Sequence, residues 1–128
     1  MVGVFLSGTG NTKHCIQKFL TALDSDARCI PIEEKKSIDA IRKNEEIVLA
    51  YPTQFSNVPF MVRDFVIRHK DVWKGKKIFL ITTMGAFSGD GTGCLARVLK
   101  KHNWSCLNPF RSACLLNLLK KYLERLAK

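Results

Sequence analysis

Three short apolar runs constrain this chain more than anything else in it. Val2-Gly3-Val4-Phe5-Leu6, Glu46-Ile47-Val48-Leu49-Ala50-Tyr51 and Lys77-Ile78-Phe79-Leu80-Ile81-Thr82-Thr83 are rich in β-branched and aromatic residues, and glycine or proline follows each within a few positions. A strand with one wet face alternates polar and apolar residues, whereas a nearly continuous apolar run must be covered on both faces. The segments between them read as the cover. Cys15, Ile16, Phe19, Leu20 and Leu23 recur at the three-to-four spacing of a helical face, closed by Asp24-Ser25-Asp26. The same spacing predicts helices over Phe60 to His69, Gly93 to His102 and, as a closing element, Ala113 to Ala127, with a short helical turn over Ser37 to Ile41. Arg28 to Ile32 and Trp104 to Leu107 are weaker candidate strands. Strands alternating with helices predict one three-layer α/β domain over residues 1–128, a parallel sheet with helices on both sides.

Composition agrees with a single buried core: 46% of the 128 residues are apolar and 25% charged. The roughly 18 to 20 consecutive apolar residues that a membrane span needs occur nowhere. No basic leader precedes Val2 to Leu6, so a cytoplasmic protein without a transmembrane segment is expected. The cysteines at 15, 29, 94, 106 and 114 are odd in number and form no CxxC pair. They predict mostly buried thiols in a reducing compartment rather than disulfides, zinc or an iron–sulfur cluster. Cys106 and Arg111 enclose only four residues, one short of a phosphatase loop. His14, His69 and His102 are scattered and suggest no metal site, the last two being placed as surface residues near helix C-termini. The net charge of +10 is unevenly spread: residues 1–60 hold seven basic and seven acidic side chains, residues 61–128 fourteen and four. Such a half favours an anionic partner, with nucleic acid, acidic protein and phospholipid all open on composition.

Open parallel sheets bind ligands beyond the carboxyl ends of their strands, near the point where strand order reverses. The loops over 7–12, 51–59 and 83–93 each follow a strong predicted strand there. Ser7-Gly8-Thr9-Gly10-Asn11-Thr12 lies directly between strand and helix, placing backbone N–H groups and hydroxyls at a helix N-terminus, a cradle for an anion. It is not a nucleoside-triphosphate loop, because Gly3-x4-Gly8 is followed by Thr9 rather than Lys. Nor is it a dinucleotide fingerprint: Lys13 stands where a third glycine belongs, and no Asp or Glu closes the second strand at the expected offset. What remains binds phosphate through neutral donors.

This loop resembles the TxTGNT phosphate loop of the flavodoxin family. Tyr51-Pro52-Thr53-Gln54-Phe55-Ser56-Asn57-Val58-Pro59 is similar to the loop after the third strand in that family, and Thr82-Thr83-Met84-Gly85-Ala86-Phe87-Ser88-Gly89-Asp90-Gly91 to the loop after the fourth. The resemblance implies a flavodoxin-like three-layer sandwich on a five-stranded parallel sheet of order 2-1-3-4-5, FMN as cofactor, and electron transfer. It implies that Ser7, Thr9, Gly10, Asn11 and Thr12 hold the phosphate. Thr53, Gln54, Phe55, Ser56 and Asn57 would line one face of the flavin ring, and Thr83, Met84, Gly85, Ala86, Phe87 and Gly89 the other. Two departures stand out. The ring-side loops offer Phe or Met84 where relatives commonly stack Tyr or Trp, and no glycine lies between Thr53 and Pro59 for the peptide that flips towards flavin N5. Asn57, which tolerates positive φ, is the candidate for that bend.

The function implied is an FMN-binding electron carrier, similar to the flavodoxin domain that precedes a ferredoxin domain in some bacterial proteins. Two alternatives share the fold: an FMN-dependent oxidoreductase resembling the basic, membrane-associated protoporphyrinogen oxidases, and an interaction module that has lost flavin. With these loops the basic half points to an acidic redox protein, a ferredoxin or a reductase, and not to nucleic acid. The positive charge also predicts a less negative second reduction potential than in acidic flavodoxins. The closing helix, with Leu115, Leu118, Leu119, Tyr122, Leu123 and Leu126 ringed by Lys and Arg, is expected to pack on the sheet rather than on a membrane.

Overall fold

A computed structural model describes residues 1–54, 57–84, 91–101 and 105–106. The apolar runs are strands: β1 (Val2–Phe5), β3 (Glu46–Pro52) and β4 (Lys77–Thr83), joined by the shorter β2 (Arg28–Pro31) and β5 (Ser105–Cys106). The helices are α1 (Asn11–Leu23), α2 (Lys36–Lys43), α3 (Phe60–Arg68), α4 (Lys70–Trp73) and α5 (Gly91–Lys101). Continuous apolarity has the meaning expected of it, since Ile47 to Tyr51 are all fully buried and so are both neighbours of β3 at their centres.

The four full strands lie in the order β2-β1-β3-β4 and every pairing is parallel. β5 adds a two-residue pairing outside β4, Lys77 opposite Ser105 and Ile78 opposite Cys106. The five-stranded sheet expected from the sequence is therefore seen as four full strands and a short fifth, and the predicted helix over 113–127 lies outside the described residues. β1 has β2 on one side and β3 on the other, so the chain leaves it first in one direction and then in the other. That reversal makes the carboxyl ends of β1 and β3 the crevice of the sheet.

Two cores flank the sheet. One packs Val2, Val4, Ile47, Leu49, Tyr51, Ile78 and Leu80 against Ile41 of α2, Val62, Phe65 and Val66 of α3, Trp73 of α4, and Leu95 and Leu99 of α5. The other packs Phe5, Val48, Ala50 and Ile81 against Ile16, Phe19 and Leu20 of α1. Gly3 lies under this contact: a Cβ there would stand 2.5 Å from Leu20 Cδ1 and 2.8 Å from Ile16 Cδ1, so any side chain would force those ends of α1's packed face to shift.

Some expectations change. The single turn α4 was not predicted, and its anchor Trp73 is fully buried with its ring edge-on to Phe65 at 6.1 Å. His69 is not a plain surface residue: it is half-buried, with its ring 5.2 Å from that of Phe65. Cys15 on α1, Cys29 on the edge strand β2 and Cys94 on α5 form no disulfide among the described residues, but they are half-buried rather than buried. Cys114 and His102 lie outside the described residues.

Candidate functional site

The loop between β1 and α1 is built around Ser7 and Gly10. Gly10 caps the helix at φ +94°, a left-handed conformation that costs glycine nothing and strains other residues. Its N–H donates to Ser7 Oγ at 3.1 Å, and the Lys13 N–H reaches the same oxygen at 3.4 Å. Helical bonding starts with the His14 N–H donating to the Gly10 carbonyl at 2.9 Å. Among the described residues no acceptor meets the N–H groups of Asn11 and Thr12, the first two of the helix.

The charge of α1 is opposed to its own dipole. No acidic residue lies in its first turn and no basic one in its last; instead Lys13 stands in the first turn and Asp24 at the C-cap. Each arrangement forgoes the stabilisation of roughly 0.3–1 kcal/mol that the opposite charge would bring. An anion at the N-terminus would meet both the open N–H groups and the Lys13 ammonium.

Space for it exists. A Cβ at Gly8 or Gly10 would meet nothing within 4 Å, so neither glycine is required by packing, and at Gly8 no positive φ requires one either. The open space belongs to a cavity of about 460 Å³ lined by Phe5, Ser7, Gly8, Gly10, Lys13, Pro31 and Glu33. Sequence pattern alone does not single out Lys13 and Glu33 as lining residues. Lys13 could have been found from its place in the first helical turn, whereas Glu33 reaches the site only because β2 pairs with β1.

A hydroxyl network ties the three loops together. Thr12 Oγ1 and Thr83 Oγ1 lie 2.7 Å apart across 71 residues of sequence, with Thr12 buried and Thr83 half-buried. The Thr83 carbonyl accepts the Thr53 N–H at 2.9 Å and the Thr53 hydroxyl at 3.2 Å. The ends of β1, β3 and β4 are thus joined through Thr12, Thr53 and Thr83. One hydrogen bond between two hydroxyls uses one O–H, so the other remains able to donate.

The remaining predicted residues are placed as follows. Thr9 and Asn11 are exposed at the helix N-terminus, and Met84 is half-buried just past β4. Gln54 and Asn57 are exposed and close on one another, each N–H donating to the other's carbonyl at 2.9 Å. Asn57 Oδ1 also accepts the Val58 N–H at 2.8 Å. Turning the Asn57 carbonyl away would break the bond from the Gln54 N–H, about 1 kcal/mol. Phe55, Ser56, Gly85, Ala86, Phe87 and Gly89 lie outside the described residues.

The fold can now be compared with solved structures. A flavodoxin from the domain Archaea superposes with a TM-score of 0.77 over 98% of this chain and 94% of its own, at 19% identity. The fold is that of the flavodoxins. A two-electron reduced flavodoxin of Megasphaera elsdenii gives a TM-score of 0.69 at 24% identity, covering 83% of this chain and 81% of that one. A Fusobacterium nucleatum flavodoxin bound to flavin mononucleotide gives 0.64 at 17% identity, covering 83% and 68%. No protein-family model matches the sequence, and no curated protein matches it. The fold is shared at low sequence identity. Among the described residues, no helix is long and apolar enough to cross a membrane, and no group of three His, Cys, Asp or Glu is placed to hold a metal ion.

Proposed function

We propose that the chain, as one cytoplasmic domain whose sheet continues through β5 in the order 2-1-3-4-5, binds FMN at the carboxyl ends of β1, β3 and β4 and carries electrons between redox proteins. The observation that carries this reading is the join of Thr12, Thr53 and Thr83, which fastens the anion-ready end of α1 to both ring-side loops on a flavodoxin fold. FMN supplies a centre that takes up one or two electrons.

The chain's own part is binding and orientation. The hydroxyls of Ser7, Thr9 and Thr12, the Asn11 side chain, the open N–H groups of Asn11 and Thr12 and the Gly10 backbone would hold the phosphate. Thr53 to Asn57 would line one face of the ring, and Thr83 to Phe87 with Gly89 the other. Ser7 Oγ accepts from the Gly10 and Lys13 N–H groups, which leaves its own O–H able to donate to a phosphate. A carrier is favoured over an oxidase with its own substrate because, among the described residues, no long insertion between elements is present to build a pocket for an organic substrate.

Purified protein titrated with FMN tests the reading. Flavin fluorescence is expected to quench, with a bound absorbance spectrum in the blue, and riboflavin is expected to bind more weakly for lack of phosphate. Reduced FMN-loaded protein should then pass electrons to a ferredoxin without any small-molecule substrate. Colourless protein that ignores FMN would leave the interaction module standing. Bleaching by an organic substrate alone would leave the oxidase.

A further inference from the structure

The outer face of α3 carries side chains for which the fold has no use. Phe60 is 79% exposed, Met61 53% and Ile67 42%. The same helix buries Val62, Phe65 and Val66 against the sheet, so its apolar face inward is already satisfied. Phe60 and Ile67 are seven residues apart and lie on one line of the helix, with Arg63 and Asp64 between them. α3 starts where the loop over 53–59 ends, and so on the same edge of the sheet as the candidate site. From there the stripe runs about 10 Å away, at 1.5 Å per residue.

Charge surrounds it. Residues 60–74, from α3 through the first residue after α4, hold four cationic side chains and two acidic ones, a balance of +2. Of the two acids, Asp64 is tied to Arg68 at 2.8 Å, while Arg63, Lys70 and Lys74 are exposed. An apolar centre inside a charged, wet rim is how transient protein interfaces are built, and scattered single exposed residues do not produce it. A second copy of the chain would set +2 against +2. An acyl layer would have to cover the carboxylates of Asp64 and Asp71, which stand among the cations.

We propose that this face of α3 docks an acidic redox protein, which seats an apolar contact on Phe60, Met61 and Ile67 and its carboxylates on Arg63, Lys70 and Lys74. The redox character of the partner rests on the electron-carrier reading above; the acidic and apolar complementarity rests on this surface alone. Docking here brings the partner to the rim of the crevice without obstructing the loop at the start of α1.

The test uses the full chain and a fluorescently labelled acidic [2Fe–2S] ferredoxin, with binding read by anisotropy at rising NaCl, with and without FMN. Wild type is expected to bind and to weaken with salt. Arg63→Glu and the pair Phe60→Ser with Ile67→Ser should each raise Kd by about 10-fold or more at low salt, as loss of a central anchor or a rim charge does. Arg63→Glu should also flatten the salt dependence. Both variants change exposed positions, and far-UV circular dichroism confirms that they fold. Variants that bind as wild type does, or wild type that does not bind, overturn the proposal. So does a wild-type dimer in sedimentation that the Phe60 and Ile67 substitutions dissolve, or binding to phosphatidylglycerol vesicles that they abolish. Flavin absorbance in the same samples keeps the two readings apart: docking without flavin removes only the FMN assignment, and flavin without docking removes only this surface.

Discussion

The start of α1 and the outer face of α3 stand on the same edge of one sheet and follow strands that pair with each other, yet they are opposite in character. The first lies in the half of the chain where charges cancel, and it offers fixed N–H groups and hydroxyls around an open space, with Lys13 and Glu33 lining the same cavity. The second carries exposed apolar side chains amid a surplus of cations. Directed hydrogen bonds act over one contact distance and select shape, whereas a cationic rim acts over about a Debye length, roughly 8–10 Å, and selects sign. Retention of a small anionic ligand and choice of a partner are therefore governed by different physics at neighbouring places, and each can be altered alone.

The largest expected separation comes from Gly10→Val. A branched side chain at φ +94° adds strain of about 1–3 kcal/mol and enters the space the phosphate would take. FMN affinity should fall by about 100-fold in isothermal titration, through lost hydrogen bonds to a charged group, with ferredoxin docking unchanged. Unchanged FMN affinity would mean the loop is only a helix cap. Salt should divide the two regions next. Between low salt and about 0.2 M, docking should weaken by roughly 10-fold and FMN binding by less than about 3-fold. Equal slopes would show that Lys13 rather than the neutral donors holds the anion.

A smaller effect should follow from Thr12→Val, which keeps the shape and removes the hydroxyl. Thr83 then loses its partner, and urea denaturation of flavin-free protein should show about 1–3 kcal/mol less stability, while Thr12→Ser restores most of it. The smallest effect concerns Cys29 on β2, whose thiol is pushed up to about 11 by burial, with Lys13 pulling the other way. The unfolded thiol ionises first, so the stability this group contributes is present below its ordinary pKa near 9 and is lost as pH rises towards 11. Denaturation midpoints of wild type should fall relative to Cys29→Ser across that window, with the offset between the two constant around neutral pH.

The strands were legible because their signal is local: a residue covered on both faces is as a rule apolar, and Ile47 to Tyr51 of β3 and Ile78 to Ile81 of β4 follow it, with Thr82 the buried polar exception. α1 was legible for a similar reason, its buried Ile16, Phe19 and Leu20 falling on one stripe. α4 escaped because His69 to Lys76 is dominated by charge, and a single turn has no period to read. Only Trp73, large and apolar among lysines, signalled an anchor. In the candidate site, Ser7 to Thr12 could be read because strand, glycines and hydroxyls are contiguous. The bond from Thr12 to Thr83 could not, since it depends on β1 and β4 both flanking β3 and leaves no mark on either segment. Glu33 illustrates the same limit, because its place beside Gly8 follows from the pairing of β1 with β2 and not from its distance along the chain.

The position of β3 also bears on how the protein is made. It lends one edge to β1 over Val2–Phe5 and the other to β4 along its whole length, from Glu46–Lys77 to Pro52–Thr83. Synthesis proceeds from the N-terminus, so β1, β2 and β3 leave the ribosome while the partner for that second edge is still unmade. For as long as translation takes to reach residue 83 and clear the exit tunnel, a buried-to-be apolar strand offers a full row of open backbone groups to any other nascent chain. The protective event in the birth of this molecule is the arrival of its fourth strand.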